Sequence, residues 1–245
     1  MRKLLAYPLT CIYFLFFGIS LLVFHPIQWI CLNVFGYKTH KKSVDFLQFS
    51  LMRCVNFLGS WHTFKNIYKL DTSQPIIIVS NHQSMADIPP LMWYFRKHHV
   101  KFVSKKELGK GIPSVSYNLR HGGSALIDRK NPRQSIVAIR KFSDYIESTN
   151  RAAVIFPEGT RSRDGKPKPF HTKGLETLIK YIPSAVIVPV TINNSWKTLR
   201  YGKFPMGIGN HLTFEAHKPI KFSDFDSKEA LLTHIEITIK NNIKL

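Results

Sequence analysis

The chain has 245 residues, 44% of them hydrophobic, which is enough for one domain with a substantial core. Its 35 lysines and arginines outnumber 15 acidic residues, and the formal net charge of +20 predicts an anionic partner such as nucleic acid, an acidic membrane or a phosphorylated substrate. Cys11, Cys31 and Cys54 are too widely spaced for a disulfide framework or a zinc site, and their apolar surroundings favour buried thiols.

The N-terminal segment is predicted to anchor the chain to a membrane. Residues 4–24 carry no charge, and a second apolar stretch, residues 27–35, follows a His-Pro step. The first stretch could cross a bilayer alone, and the two together could form a helical hairpin that dips into one leaflet. A signal peptide is the competing interpretation, but the apolar region is too long and no cleavage site follows it. We expect residues 1–40 to form the anchor and residues 41–245 to form the main domain.

A basic cluster follows the anchor. Lys38, His40, Lys41 and Lys42 suit the anionic headgroups of a cytoplasmic membrane surface. A solvated charged helix face is the alternative interpretation. The cluster therefore supports membrane association, with the main domain on the cytoplasmic side.

Helix-like and strand-like segments alternate along the rest of the chain. The predicted strands have short β-branched or apolar runs and comprise residues 75–80, 100–103, 124–127, 152–156 and 185–188. The predicted helices have apolar residues at helical spacing and comprise parts of residues 44–66, 131–146, 174–181 and 227–243. This alternation predicts an α/β domain with a largely parallel or mixed sheet flanked by helices, and ligands beyond the carboxyl ends of the strands.

The segment from Asn81 to Asp87 follows a predicted buried strand and precedes two prolines, which a first helical turn tolerates. Inside a helix, residues five apart lie on different faces, so a hydrogen bond between His82 and Asp87 requires a turn. That bond would fix the imidazole tautomer and leave the other ring nitrogen to accept a proton. His82 is therefore a candidate general base, although plain helix capping would also use such residues.

A second polar segment follows the strand at residues 152–156. Glu158, Gly159, Thr160 and Arg161 could cradle a phosphate, with Arg161 offering bidentate hydrogen bonds, although an exposed basic turn is an equal interpretation. The spacing excludes a Walker loop, and the chain lacks the motifs of serine hydrolases, zinc proteases and dinucleotide-binding folds. A histidine base beside a phosphate site predicts activation of a hydroxyl group on a substrate.

Four blocks of residues, taken in order, resemble the glycerolipid acyltransferase family, and within it the lysophosphatidic acid (1-acylglycerol-3-phosphate) acyltransferases. They span about residues 65 to 200 and comprise residues 81–87, 123–129, 156–162 and 188–190. The resemblance implies that His82 deprotonates a glycerol hydroxyl, that Asp87 orients it, and that Pro189 lies beside the acyl site. It implies an acceptor-binding role for the following residues: Arg129, Glu158, Gly159, Thr160 and Arg161.

The resemblance implies acyl transfer from acyl-CoA or acyl carrier protein to the 2-hydroxyl of lysophosphatidic acid, forming phosphatidic acid with no metal or other cofactor. The expected partners are these substrates and membrane phospholipids, with no nucleic acid, and the expected site is the cytoplasmic face of the membrane, which is the inner membrane in a bacterium. Lys105, Lys106 and Lys173 are candidate phosphate contacts. The segment before Gly174 is one residue longer than the family pattern, and Leu126 stands where an aromatic residue is frequent.

Other functions remain open from sequence. Within the family, the acceptor could be glycerol 3-phosphate, a lysophospholipid such as lysophosphatidylcholine, or a lyso-ornithine lipid. The net charge also fits a membrane-tethered nucleic-acid-binding protein, although the arginines follow strand ends rather than forming a recognition module. A third alternative is an inactive lipid-binding scaffold, against which the presence of both His82 and Asp87 argues.

Overall fold

A computed structural model describes residues 2–65 and 68–244. In these residues the strands are β1 Trp61–Lys65, β2 Ile76–Ser80, β3 Lys101–Lys105, β4 Ala125–Ile127, β5 Ala152–Ile155, β6 Val186–Asn193 and β7 His211–Ala216. The helices are α1 Arg2–Phe35, α2 Tyr37–Cys54, α3 Ile88–Tyr94, α4 Val115–His121, α5 Pro132–Thr149, α6 Thr172–Tyr181 and α7 Lys228–Asn241.

The strands form one sheet in the order β1-β7-β6-β2-β5-β3-β4. The five strands from β6 to β4 run parallel, β7 is antiparallel to β6, and β1 is parallel to β7. The predicted α/β fold with a mixed sheet is therefore confirmed. Since β2 lies at the centre, the segment that follows it emerges in the middle of the carboxyl edge, where parallel sheets bind ligands.

Helices cover both faces of the sheet. Ile76 and Ile78 of β2 face one hydrophobic layer with α2 and α3, and Ile77 and Val79 face a second layer with α5, α6 and α7. Burial on both faces explains why β2 is continuously apolar instead of alternating.

Of the two alternatives for the N-terminal segment, the hairpin between residues 4–24 and 27–35 is wrong, because α1 is one helix of 34 residues that continues through Pro26. An interior proline removes one helical hydrogen bond, but neighbouring contacts hold the backbone in place. The Ser114 hydroxyl donates to the carbonyl of Leu21 at 2.6 Å, and the Ser114 amide donates to His25 Nδ1 at 3.0 Å. The chain reverses later, at Gly36 with a φ of 79°, and α2 then packs along α1.

Residue 40, the predicted end of the anchor, lies in the second turn of α2, and the division of the chain there stays a prediction. The helix predicted within residues 44–66 ends earlier than its apolar pattern indicated. It stops at Cys54, a 3-10 turn follows over Val55–Leu58, and residues 61–65 are strand β1 at the sheet edge.

One side of α1 faces the rest of the chain and the opposite side is apolar and exposed. Ala6, Thr10 and Tyr13 are buried, whereas large side chains on the outer face, such as Leu15 and Leu22, are mostly exposed. Within the described residues, α1 is the helix that is long and apolar enough to cross a membrane.

The expectation of three buried thiols was wrong in part, since Cys54 is buried, Cys31 is half-buried and Cys11 is exposed on α1.

Candidate active site

The segment after β2 forms the predicted turn and then a helix. The Ser84 hydroxyl caps the 3-10 turn Met85–Asp87 by accepting a hydrogen bond from the Ala86 amide at 3.1 Å. Asp87 then occupies the N-cap of α3, whose first turn contains Pro89 and Pro90. The turn lets two residues that are five apart in sequence face each other.

Asp87 is fully buried and its carboxylate accepts four hydrogen bonds. His82 Nδ1 lies 2.8 Å from Oδ2, and the same oxygen accepts from the amides of Gln83 at 2.7 Å and Ser84 at 2.9 Å. The hydroxyl of Ser195 donates to Oδ1. Because the carboxylate is an acceptor, this network assigns the proton of the neutral imidazole to Nδ1 and leaves the lone pair on Nε2 of His82. The predicted His82–Asp87 hydrogen bond is therefore present, in the tautomer that a general base requires.

The His82 segment is held from both sides. The ring of Phe156 stacks on the imidazole with centroids 4.2 Å apart, and the Ser162 amide donates to the His82 carbonyl at 2.8 Å. Asn81 bonds the backbone of Ile192 in both directions, at 2.7 and 2.8 Å. These contacts fix the imidazole at the carboxyl edge of the central strands and leave it partly exposed.

Glu158 lies beneath this turn rather than on the surface. Its carboxylate is 2% exposed, Oε1 accepts from the His82 amide at 3.3 Å, and Oε2 has no hydrogen-bond partner in the described part of the chain. Burial raises the pKa of Glu158 to about 7, and the nearby Lys168 ammonium opposes this rise. The carboxylate therefore supports the His82 loop directly, and its role in acceptor binding stays a prediction.

The polar segment after β5 forms a loop around the same site. Gly159 adopts a φ of 67°, which favours glycine, and its carbonyl accepts a hydrogen bond from the Arg129 guanidinium. Lys168 bonds Thr160 Oγ1 at 3.0 Å and the Arg161 carbonyl at 2.8 Å. The structure thus brings Arg129 and the residues 158–161 together.

The guanidinium of Arg161 is a free cation in this loop. Its side chain is exposed and forms neither a hydrogen bond nor an ion pair with residues 2–65 and 68–244. The guanidinium of Arg129, by contrast, is used to brace Gly159. Arg161 is therefore available to pair with an anionic ligand at the carboxyl edge.

The three lysines proposed as phosphate contacts occupy different positions. Lys105 is exposed at the carboxyl end of β3, and Lys106 pairs with Asp128 at 2.9 Å. Lys173, in the first turn of α6, lines a cavity of about 590 Å³ whose apolar wall includes Ile77 and Ile187 of the second core layer. His82 instead packs against Phe156, which borders the first layer, so the structure does not group Lys173 with the imidazole.

The sequence analysis missed two residues that hold the site. Ser195 follows β6 and donates a hydrogen bond to Asp87. Lys168 donates to two oxygens of the polar loop, the Thr160 hydroxyl and the Arg161 carbonyl. A longer prediction for β6 would have placed Ser195 at the same edge as His82, because β6 and β2 are neighbouring parallel strands. No local pattern marked Lys168.

A family model described as Acyltransferase matches residues 62–193, which is more than half of the chain and includes His82, Asp87, Arg129 and residues 158–161, though not Ser195. The chain belongs to this acyltransferase family. The resemblance inferred from the four sequence blocks is thereby confirmed.

Curated acyltransferases are similar to part of this chain. A 1-acyl-sn-glycerol-3-phosphate acyltransferase of Brassica napus, BAT2, is 32% identical over 164 residues, covering 66% of this chain and 45% of the relative. A 1-acyl-sn-glycerol-3-phosphate acyltransferase of Helicobacter pylori is 34% identical over 136 residues, covering 54% of this chain and 56% of the relative. The chain spans about half the length of these relatives.

The fold is also that of a solved acyltransferase. The crystal structure of the 1-acyl-sn-glycerophosphate (LPA) acyltransferase PlsC from Thermotoga maritima superposes with a TM-score of 0.81 and 22% identity. The match covers 98% of this chain and 95% of that chain. It therefore includes the N-terminal helices as well as the sheet.

Proposed function

We propose that this acyltransferase transfers a fatty acyl group from the thioester of coenzyme A or acyl carrier protein to the 2-hydroxyl of lysophosphatidic acid, forming phosphatidic acid. The observation that carries the proposal is the His82 Nδ1–Asp87 Oδ2 hydrogen bond beside an unpaired Arg161. This arrangement offers a base for a hydroxyl and a cation for a phosphate at one edge of the sheet. The names of the similar proteins support lysophosphatidic acid as the acceptor.

His82 is proposed to act as base and then as acid. Nε2 takes the proton of the acceptor hydroxyl as its oxygen attacks the thioester carbonyl, and Asp87 stabilises the imidazolium that forms. When the tetrahedral intermediate collapses, the carbon–sulfur bond breaks and the imidazolium returns the proton to the thiolate. The reaction balances with the acceptor and the thioester as reactants, and we propose no further cofactor.

Arg161 is proposed to bind the phosphate of the acceptor. A guanidinium can donate two parallel hydrogen bonds to a phosphate, which restricts where the rest of the lipid lies. Binding energy from this remote group would position the hydroxyl at Nε2, so that loss of Arg161 would affect turnover as well as acceptor affinity. Arg129 would contribute by holding the loop at Gly159.

The outer face of α1 is proposed to lie in the membrane that holds the acceptor lipid. At 1.5 Å per residue the helix is about 51 Å long, and its inner side is packed on α2 along the domain. A helix packed on its own domain in this way is suited to lie in one leaflet with its apolar side in the acyl chains. We place the site on the cytoplasmic side because lysines follow the anchor.

The proposal is tested by acyl transfer with detergent-purified protein. Oleoyl-CoA is the donor, and lysophosphatidic acid, glycerol 3-phosphate and lysophosphatidylcholine are compared as acceptors. We expect phosphatidic acid from the wild type and a loss of about 10² to 10⁴-fold in turnover for His82→Ala. The exposed His234 on α7 provides the matched control, since His234→Ala changes the same residue type away from the site.

Each acceptor and donor gives a different answer. Transfer to glycerol 3-phosphate or lysophosphatidylcholine instead of lysophosphatidic acid would leave the proposed role of His82 unchanged and identify a different acceptor. The assay is repeated with an acyl carrier protein thioester, and transfer from this thioester but not from oleoyl-CoA would identify acyl carrier protein as the donor. Wild-type turnover in His82→Ala, with the protein folded, would contradict the mechanism.

A further inference from the structure

A second group of charged side chains lies at the amino edge of the sheet, opposite to His82. Lys101 begins β3 and Arg151 directly precedes β5, and these neighbouring parallel strands bring the two cations together. Tyr37, the first residue of α2, covers both of them. The centre of its ring lies 5.3 Å from Lys101 Nζ and 4.3 Å from Arg151 Cζ.

Lys101 has an unusual environment for a lysine. The residue is 6% exposed, and within residues 2–65 and 68–244 its ammonium group has neither a hydrogen bond nor an ion pair, only the face of Tyr37. Burying a cation without a partner is unfavourable, because the ion loses its hydration and gains no compensating contact. Burial, together with the charges of Arg151 and Lys41, lowers the pKa of Lys101 to about 7. A bound anion would therefore stabilise the charged form of Lys101.

One carboxylate lies near this cluster, and it is already engaged. Asp45 accepts from Lys41 Nζ, which also donates to the Arg96 carbonyl at 2.6 Å. When Lys101 is protonated, Lys41, Lys101 and Arg151 carry three positive charges against the single negative charge of Asp45, an excess of two. Asp45 therefore does not neutralise the cluster.

The remaining neighbours do not supply an anion either. Burial lowers the pKa of His40 and of His99 to about 4, so both rings are neutral at neutral pH. The Tyr37 hydroxyl lies 3.3 Å from His99 Nδ1, and burial raises the pKa of this phenol, so it also stays neutral. Within the described residues, no anion therefore pairs with the Lys101 ammonium group.

We propose that Lys101, Arg151 and Tyr37 form a binding site for a phosphate group, supplied by an anionic phospholipid headgroup or by free phosphate. A guanidinium and an ammonium group together match the charge and the hydrogen-bonding oxygens of a phosphate. Lys38 and Lys42 are exposed on the same end of α2 and attract anionic lipids to it. The site is separate from the Arg161 loop and requires no acyl transfer.

The phosphate site is tested by thermal unfolding of the full detergent-purified chain. The unfolding midpoint is titrated with inorganic phosphate against chloride at equal ionic strength. All proteins carry Arg161→Ala, so that phosphate binding at the acceptor loop does not contribute. We expect phosphate at about ten times its Kd to raise the midpoint by roughly 3 °C. Lys101→Met should abolish this shift.

Two further variants make the result interpretable. Lys42→Met removes one lysine charge from the exposed surface of α2, the helix that contributes Tyr37, and should keep the full shift. Arg151→Gln should lose most of the shift while the Lys101 side chain stays in place. Lys101→Met is expected to fold, because it replaces an unpaired buried charge with an apolar side chain of similar length. If Lys101→Met and Arg151→Gln both keep the shift, the proposal is wrong.

Vesicle binding distinguishes the two sources of phosphate. Phosphatidylcholine vesicles are compared with vesicles that also contain phosphatidylglycerol. If the headgroup is the ligand, Lys101→Met loses the phosphate shift and binds the anionic vesicles several-fold more weakly, whereas Lys42→Met has a smaller effect. If free phosphate is the ligand, Lys101→Met loses the shift and binds both vesicles as the wild type does.

Discussion

Two buried carboxylates lie within this site, and their surroundings differ. Asp87 accepts four hydrogen bonds, from His82, two backbone amides and Ser195. Glu158 is almost as buried, but its hydrogen bond from the His82 amide is long at 3.3 Å, and one of its oxygens has no partner in the described part of the chain. The comparison shows that burial alone does not determine the state of a carboxylate. The number of donors around it decides whether the negative charge is supported.

The strongest test of this comparison removes the negative charge of Asp87 and keeps the shape of its side chain. In Asp87→Asn the amide group can donate to Ser195, whose hydroxyl turns to accept, so the network closes again without the negative charge. We expect turnover to fall about 10³-fold, because the imidazolium loses its counter-charge, while stability falls by about 2 kcal/mol. The measurements are acyl transfer and urea unfolding of the same preparation. Turnover within threefold of the wild type would show that orientation alone is needed.

Glu158→Gln tests the opposite case, a carboxylate with too few donors. The folded pKa of about 7 lies above the usual 4.5, so between these values the native state holds a proton that the unfolded state has released. Stability from this group is fully present below pH 4.5 and is lost as the pH rises to about 7, by about 3 kcal/mol. Glu158→Gln should abolish this loss and exceed the wild type in stability at pH 8.

Urea unfolding between pH 4.5 and 8 measures this difference. Glu229→Gln is the matched control, since Glu229 is exposed on α7 and its replacement should leave the pH profile unchanged. A wild-type profile in Glu158→Gln would mean that Glu158 is not the group responsible.

Ser195→Ala sharpens the comparison by removing one donor from Asp87. Three hydrogen bonds would remain, all on Oδ2, and we expect stability to fall by about 1 kcal/mol and turnover by about tenfold. Ser143→Ala is the matched control, because the Ser143 hydroxyl is also buried but bonds the Ile139 carbonyl within α5. The control should lose similar stability and keep its activity. Equal turnover in both variants would indicate that Ser195 is only structural.

In this site, the sequence predicts well the contacts between residues that are close together in the chain. The His82–Asp87 bond is accessible to sequence reasoning because both partners lie within one turn that prolines and capping residues define. The bond from Ser195 is not, since this residue lies 108 positions away from Asp87 and meets it only through the pairing of β6 with β2. Contacts of this kind depend on strand order, which a local pattern does not contain.

Prolines caused two errors in the predicted elements. The strand at residues 185–188 was ended before Pro189, but β6 continues to Asn193 because pairing with β7 begins only at Val190, beyond the residue that lacks an amide hydrogen. The apolar segment was divided at Pro26, but contacts from Ser114 keep α1 continuous. In both places tertiary contacts outweigh a local preference. Strand β7 was missed altogether, as were β1 and α4.

The inner side of α1 determines more than how the helix is attached. Its polar contacts, from Thr10 to the Met206 amide and from Leu21 to Ser114, lie along one stripe, so the helix cannot rotate about its axis without breaking them. With the outer face in a leaflet, the whole domain acquires a fixed tilt and height above the lipid. Under the proposed function, His82 would then meet its acceptor by lateral diffusion in two dimensions, and the rate of encounter would depend on the surface density of the lipid rather than on its concentration in bulk water.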